Sequence, residues 1–97
     1  MVKLIKIVPS HLSEKKYDAH FLTDTGRTKV VPFGAKGMDD FTKTKDVAQQ
    51  KRYIERHSRG GENWSSPMTA GALSRYVLWS APTLRGGIAN YKKRFNL

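Results

Sequence analysis

Hydrophobic and polar residues alternate along the first third of the chain, with the period of two that is typical of β-strands. The alternation predicts strands over residues 3–8, 17–22 and 28–33. Tyr17, Ala19 and Phe21 share one face of the second strand, and Gly26 follows in a turn where a positive φ is expected. Pro32 lacks a backbone N–H, so the third strand is predicted to be an edge strand or to be ending.

After Gly37 the hydrophobic period changes from two to 3.6 residues, which predicts helices. The first helix is expected over residues 45–59, with Thr42 or Thr44 as its N-cap. Val47 and Ile54 lie on the face of this helix that is predicted to be buried. The opposite face carries four cations: Lys45, and Arg52, Arg56 and Arg59, which fall within about 40° of Lys45 on a helical wheel.

Two further helices are predicted in the last third of the chain. Ser66 and Pro67 combine a hydroxyl cap with a proline in the first turn, which predicts a helix over residues 67–79. This helix is apolar most of the way round and is therefore expected to be the central one. Thr83 is predicted to cap a last helix over residues 84–95, in which Gly86 and Gly87 should weaken the first turns by about 1 kcal/mol each relative to alanine.

These elements predict an α+β fold, with a small N-terminal antiparallel sheet of two to three strands followed by three helices. No repeat, low-complexity tract or long linker divides the chain. We therefore expect a single domain over residues 1–97, with a β part over residues 1–37 and a helical part over residues 38–97.

The composition excludes several classes of protein. Hydrophobic residues make up 38% of the chain, which favours a folded domain over disorder. There is no cysteine, so disulfides, cysteine nucleophiles and thiolate zinc sites are excluded. No apolar run approaches the length of a membrane span and the basic N-terminus is too short for a secretory signal, so no membrane partner is expected.

The charge of the chain is its strongest functional signal. Eighteen Lys and Arg residues face eight acids, giving a formal net charge of +10. The excess is uneven, because residues 67–97 contain five basic residues and no acid. A polyanion is the expected partner, either DNA or RNA, with an acidic membrane surface ranked below both, and double-stranded DNA is taken as the working partner. The alternative is a soluble basic protein whose cations are merely solvated.

The candidate nucleic-acid-binding residues are cations of the helices and of the segment before them. If the helix faces that carry them are neighbours, they form one continuous basic surface that contacts phosphates rather than bases. The candidates are Lys36, Lys43, Lys45, Arg52, Arg56, Arg59, Arg75, Arg85, Lys92, Lys93 and Arg94.

The stretch PFGAKGMDDFTKTKD, residues 32–46, raises the question of a phosphate-binding loop. Such a loop needs GxxxxGK[ST] after a buried strand, and the spacing of Gly34 and Gly37 does not fit. Lys36 and the backbone amides beside it could still contact a DNA phosphate. No motif in the chain calls for a cofactor.

A metal-dependent nuclease is a weaker alternative. Its chemistry needs carboxylates that converge on metal ions, and the candidates are Asp39, Asp40, Asp46, Glu55 and Glu62. The simpler interpretation is that the aspartates stand near a helix N-terminus, where acids favour the helix dipole. His11, His20 and His57 show no metal-ligand spacing. Trp64 is interpreted as an anchor to the core rather than a base-stacking platform.

Several ordered motifs resemble a known group of sequences. FGAKGMDDFTKTKD, YIERH, ENW, PMTAGALSRYVLW and PTLRGGIANYKKRFNL, with the strand pair YDAHFLTDTGRTKVVPFG, are similar to a family of small basic proteins encoded by large double-stranded DNA viruses of algae and amoebae. The resemblance spans nearly the whole chain. That family has no assigned function, so the resemblance implies no site residues. It does imply a location, namely the virion and, during infection, the host nucleus or a cytoplasmic viral factory.

Charge and resemblance together predict a non-enzymatic DNA-binding protein, largely indifferent to sequence, that helps to compact, package or organise a viral genome. The alternative is a small structural component of the virion, a minor capsid or internal protein that bridges other virion proteins. The sequence leaves open the choice between DNA and RNA, the base preference, the oligomeric state, and whether the basic face meets nucleic acid or an acidic protein surface.

Overall fold

Three antiparallel strands form the N-terminal sheet in a computed structural model that describes residues 2–60 and 64–97. They are β1 (Lys3–Pro9), β2 (Lys15–Leu22) and β3 (Thr28–Ala35), in the order β1-β2-β3. The predicted sheet is confirmed, and β3 is an edge strand, as Pro32 indicated. Gly26 takes the expected positive φ of 80° in the β2–β3 turn. β2 and β3 each extend two residues beyond the predicted bounds.

One face of the sheet supplies four residues of the core, Ala19, Phe21, Val31 and Phe33. Ala19 lies opposite Ile7 on β1 and Val31 on β3, while Phe21 lies opposite Leu4. Ala19 and Phe21 are fully buried, and Val31 is 9% exposed. The alternation of buried and exposed residues therefore matches the period of two from which the strands were predicted.

The first predicted helix is two helices, α1 (Phe41–Thr44) and α2 (Val47–Arg59). Lys45 separates them in the left-handed conformation with φ of 55°, so it is not part of the α2 face to which it was assigned. The predicted threonine caps are wrong. Asp40 caps α1, and Asp46 caps α2 by accepting hydrogen bonds from the amides of Ala48 and Gln49. An aspartate is as good an N-cap as a threonine or better, and here two aspartates take both positions.

The central helix runs over residues 70–78. It begins as α3 (Ala70–Leu73) and continues as a π-helical segment (Ser74–Leu78). The start predicted at Pro67 is wrong because Thr69, rather than Ser66, is the N-cap and accepts a hydrogen bond from the amide of Ala72. The central position predicted for this helix is confirmed by the burial of most of its apolar residues: Ala72, Leu73, Val77 and Leu78.

The last helix, α4 (Leu84–Phe95), has the predicted bounds and the predicted cap, Thr83. Gly87 has a role that helix propensity did not reveal. A Cβ atom at this position would lie 1.9 Å from the carbonyl oxygen of Val77. Gly87 therefore permits α4 to pack directly against the backbone of the central helix.

The core joins the sheet to these two helices. Tyr91 of α4 is fully buried, and its hydroxyl donates a hydrogen bond to the carbonyl oxygen of Pro67 at 2.5 Å. Burial raises the pKa of Tyr91 well above its ordinary value, so the hydroxyl remains a donor. The buried cluster consists of Ala19, Phe21, Val31, Phe33, Phe41, Leu73, Val77, Leu78, Trp79 and Tyr91. The structure confirms the small α+β fold.

Candidate nucleic-acid interface

Helix α2 rests on the remainder of the fold through an aromatic stack. The ring of Tyr53 lies 4.2 Å from that of Trp79 at an interplanar angle of 6°, and the ring of His57 stacks on Tyr53 at 4.1 Å. Gln50 adds a hydrogen bond of 2.8 Å from Nε2 to the carbonyl oxygen of Trp79. The prediction that Val47 is buried is wrong, since it is 56% exposed. The packed stripe of α2 is instead centred on Tyr53, one position from the predicted Ile54.

Two clefts adjoin α2. The larger, here called the sheet cleft, has a volume of about 670 Å³ and lies between β2, β3, α2 and the central helix. The second, here called the helix cleft, has a volume of about 580 Å³ and lies between α2, the central helix and α4. Gln49 lines the sheet cleft and its neighbour Gln50 lines the helix cleft.

The sheet cleft receives the two central cations of α2, Arg52 and Arg56. They stand one helical turn apart, so both guanidinium groups can face one ligand. Both are exposed, and within residues 2–60 and 64–97 neither side chain makes an ion pair or hydrogen bond. Lys15 and Lys16 of β2 line the same cleft.

One of these cations is neutralised inside the fold. Lys16 Nζ donates to Asp40 Oδ2 at 2.5 Å, and the Asp40 carboxylate also accepts hydrogen bonds from the Thr42 hydroxyl and the Lys43 amide. Asp40 is 3% exposed, so this ion pair is largely shielded from solvent. Lys16 and Asp40 fix the loop between β3 and α1, and the charges left facing the cleft are Lys15, Arg52 and Arg56, with Asp39 at the rim.

The helix cleft collects cations without any carboxylate. It is lined by Gln50, Arg75, Tyr76, Ser80, Asn90, Lys93 and Arg94. Ser80 donates to the carbonyl oxygen of Tyr76, and Asn90 Nδ2 donates to Ser80 Oγ at 3.2 Å. Three positive side chains therefore converge on one concave surface with no negative group among its lining residues.

Aromatic rings hold two of these arginines in place. The guanidinium of Arg75 lies 4.9 Å from the ring centroid of Tyr76 and 5.4 Å from that of Trp64, and the guanidinium of Arg94 lies 5.8 Å from that of Tyr76. Cation–π contacts of this kind stabilise by about 0.5–1 kcal/mol each at exposed sites. Arg75 is half-buried, and its Nε is buried without a hydrogen-bond partner. Trp64 therefore packs against an arginine of the cleft wall.

Residues 5–57 match the model of a family described as a family of unknown function, DUF5754. The chain belongs to this family. The match covers the sheet, α1 and most of α2, and therefore includes Arg52 and Arg56 of the sheet cleft. Arg75, Lys93 and Arg94 of the helix cleft lie beyond the matched residues. No curated protein and no solved structure matches the chain.

The other predicted cations of this DUF5754 chain line neither cleft. Three of them make local contacts: Lys43 pairs with Asp39 at 3.6 Å, Arg59 pairs with Glu55 at 2.6 Å, and Lys45 Nζ donates to the carbonyl oxygen of Thr42 at 3.1 Å. The other three are exposed on β3–α1 or α4, namely Lys36, Arg85 and Lys92. The candidate cations thus form two separate concave groups, Arg52 with Arg56 and Arg75 with Lys93 and Arg94.

The carboxylates have structural partners. Asp40 and Asp46 are helix caps, and Asp39 and Glu55 form ion pairs with lysine or arginine one turn away. Among the residues that the structure describes, no group of three or more His, Asp or Glu side chains could hold a metal ion. Glu62 lies outside the described residues. In the same described part of the chain, no helix is both long and apolar enough to cross a membrane.

Among the carboxylates of the described residues, Asp18 is the most strongly perturbed. Its burial favours the neutral form, but hydrogen bonds from the side chains of His11 and Ser10 and from the His11 amide outweigh burial and lower its pKa to about 2. The carboxylate fixes the turn between β1 and β2. It is a structural feature on the sheet and lines neither cleft.

Sequence reasoning missed the lysines of β2 and the uncharged polar residues of the clefts. Lys15 and Lys16 precede the predicted start of the second strand, and Ser74 sits on a helix assigned to the core. Gln50 and Asn90 are uncharged and so were not among the candidate cations. Only the three-dimensional packing brings these residues beside the arginines.

Proposed function

We propose that this chain is a non-enzymatic DNA-binding protein that contacts phosphates with little regard to sequence. The observation that carries the proposal is the helix cleft, where Arg75, Lys93 and Arg94 converge without a carboxylate. A cleft lined by one sign of charge focuses the electrostatic field and attracts polyanions. The net charge of +10 extends this attraction over the whole molecule.

The amide side chains of the helix cleft already make hydrogen bonds within the protein, which favours contact with DNA phosphates over contact with bases. Asn and Gln read adenine when both ends of their amide are available. Gln50 already donates to the carbonyl oxygen of Trp79, and Asn90 donates to Ser80. The arginines and the lysine remain the groups that can face a ligand, and their partners on duplex DNA are phosphate oxygens.

The biological role that we propose is compaction, packaging or organisation of the genome of a large DNA virus, in the virion and in the host nucleus or viral factory. It is supported by the resemblance of the motifs to virus-encoded basic proteins and by the charge. Neutralisation of phosphates releases condensed counterions, which would favour close packing of duplexes.

The test is the affinity for mixed-sequence duplex DNA across a series of salt concentrations. We expect the Lys93→Ala/Arg94→Ala variant to lower the slope of log affinity against log salt by about two units, because each phosphate contact contributes about 0.9. The matched control is Lys3→Ala/Lys6→Ala, which removes two charges from exposed positions on β1. Equal slopes for the two variants would contradict the assignment to the helix cleft.

A second candidate function is a small structural component of the virion that bridges other proteins. The observation that favours it is the exposure of three large apolar side chains on the sheet, with Ile5 at 51%, Val30 at 40% and Leu22 at 36%. Disruption of particles in high salt separates the two functions. A DNA-binding protein is released with the genome, whereas a bridging protein stays with the capsid shell.

A further inference from the structure

The sheet cleft differs from the helix cleft in having an apolar floor. Leu78, the last residue of the central helix, and Trp79, which follows it, line the cleft but are only 2% and 8% exposed. The open apolar surface therefore comes mainly from small residues of two elements, namely Gly34, Ala35, Ala70 and Gly71. Its volume of about 670 Å³ falls within the range of about 300–1,000 Å³ typical of small-molecule sites. The hydroxyl of Ser74 adds a polar group to this surface.

Close packing explains why the floor stays open. Gly34 has φ of +78°, and a Cβ atom there would lie 2.9 Å from Leu78 Cδ1. β3 and the central helix therefore touch at the base of the cleft, while the small side chains along both elements leave the space above it unfilled. The packing supports a cavity whose apolar walls are fixed by the core.

The rim of the sheet cleft is positively charged on one side. Arg52 and Arg56 have no ion-pair partner in the described ranges 2–60 and 64–97, and the same is true of Lys15. The two carboxylates of the cleft are already engaged, Asp40 by Lys16 and Asp39 by Lys43. A ligand that fills this cleft is expected to combine an anionic group with a largely apolar body.

We propose that the sheet cleft binds a nucleoside monophosphate. Arg52 and Arg56 hold the phosphate, and the base lies against the small residues Ala35 and Ala70, within reach of the Ser74 hydroxyl. Inorganic phosphate would leave the floor unfilled, and an uncharged nucleoside would leave the arginines unpaired. This site goes beyond the proposed binding of duplex DNA, which requires only exposed cations.

The first test is calorimetric titration of the protein with deoxyadenosine monophosphate, deoxyadenosine and inorganic phosphate. The nucleotide should bind at least about tenfold more tightly than either fragment, because charge-assisted hydrogen bonds and burial of the base both contribute. Equal affinity for the nucleotide and for inorganic phosphate would overturn the proposal, as would equal affinity for the nucleotide and the nucleoside.

Two variants test the position of the site. Ser74→Leu fills the cleft without changing any charge, and Arg52→Ala/Arg56→Ala removes the phosphate contacts. Each should weaken nucleotide binding by about tenfold or more. The matched control is Lys51→Ala/Arg59→Ala, which removes two cations from the same helix outside the cleft and should bind as the wild type does. Unchanged binding in the first two variants would overturn the assignment.

The source of the nucleotide is distinguished by a strand with and without a 5′-phosphate. If the ligand is a strand terminus, a short 5′-phosphorylated single strand binds more tightly than its 5′-hydroxyl counterpart, and Ser74→Leu removes the difference. If the ligand is a free nucleotide, deoxyadenosine monophosphate binds and the two strands do not differ. Failure of both the nucleotide and the phosphorylated strand to bind refutes the site.

Failure of this site and failure of the proposed function can be told apart. Ser74→Leu keeps every cation, so it should leave the binding of blunt duplex DNA without terminal phosphates unchanged while it weakens nucleotide binding by about tenfold or more. Loss of duplex binding in the wild type, with nucleotide binding retained, would refute only the proposed function.

Discussion

Replacing Gly87 with alanine adds one methyl group at the point where α4 packs against the central helix. The new Cβ atom would lie 1.9 Å from the carbonyl oxygen of Val77 and 2.7 Å from its carbonyl carbon. Cβ contacts below 3.0 Å essentially never occur, and the obstacle is backbone, so a change of rotamer cannot relieve it. α4 must therefore move away by about 1 Å or more, which loosens the packing of Tyr91 one turn later.

The expected cost follows from two opposing effects. Alanine favours a helix over glycine by about 1 kcal/mol. Overpacking of a close-packed site costs about 1–3 kcal/mol and occasionally more, and the clash with backbone places Gly87 at the upper end of that range. We expect the free energy of unfolding of Gly87→Ala to fall by about 2 kcal/mol, or the melting temperature by about 8–16 °C for a domain of this size.

Urea unfolding followed by circular dichroism measures this change through the midpoint and the m-value. Ala89→Gly is the control, because Ala89 is exposed on the same helix and the variant reports helix propensity without a clash. It should lose about 1 kcal/mol. If Gly87→Ala were as stable as the wild type or more stable, propensity would outweigh packing and the reasoning would be refuted.

Two further predictions concern carboxylates. The lowered pKa of Asp18 means that its contribution to stability is fully present above its ordinary pKa of 3.8 and is lost as the pH falls from there towards 2. Asp18→Asn should therefore lower the melting temperature at pH 5 and reduce the change of melting temperature between pH 3.8 and about pH 2. Glu14→Gln, the control, should have neither effect. Asp46→Ala removes the N-cap of α2 and should lower the free energy of unfolding in urea by about 0.5–2 kcal/mol. Asp39→Ala removes an exposed acid without a cap and should lower it by about 0–1 kcal/mol. Equal losses of stability in the two variants would show that Asp46 acts through its charge alone.

The elements that local sequence governs were predictable. The strands were found from alternation, because their pleat places every second residue in the core. The turn was predictable because Gly26 can adopt a positive φ, and the last helix was predictable because the Thr83 hydroxyl can cap its first turn. Such signals act within a few residues, so no knowledge of the partner elements was required.

Errors arose where several residues competed for one local role. Asp46 and Thr44 are both good N-caps, and the left-handed conformation of Lys45, uncommon for a residue other than glycine, decided between them. Ser66 and Thr69 competed in the same way. Two neighbouring caps differ by a few tenths of a kcal/mol locally, so tertiary contacts make the choice.

The clefts form through contacts between segments that are distant in sequence, so they could not be predicted from the sequence alone. Charge identified Arg52 and Arg56 as candidates, but their meeting with Lys15 depends on how β2 packs beside α2. In the sequence, Gly87 predicts only a lower helix propensity. The structure shows that it packs against the backbone of Val77. Individual functional residues could therefore be proposed from the sequence, whereas their grouping required the fold.

The central claim is that the cations of the helix cleft bind DNA through its phosphates. The most direct measurement compares the salt dependence of duplex binding for the wild type and for Arg75→Ala/Lys93→Ala/Arg94→Ala. We predict that the slope of log affinity against log salt falls by about two to three units in the variant, at about 0.9 per lost phosphate contact. The same slope in both proteins, or no binding by the wild type at about 50 mM salt, where phosphate contacts are strong, would contradict the claim.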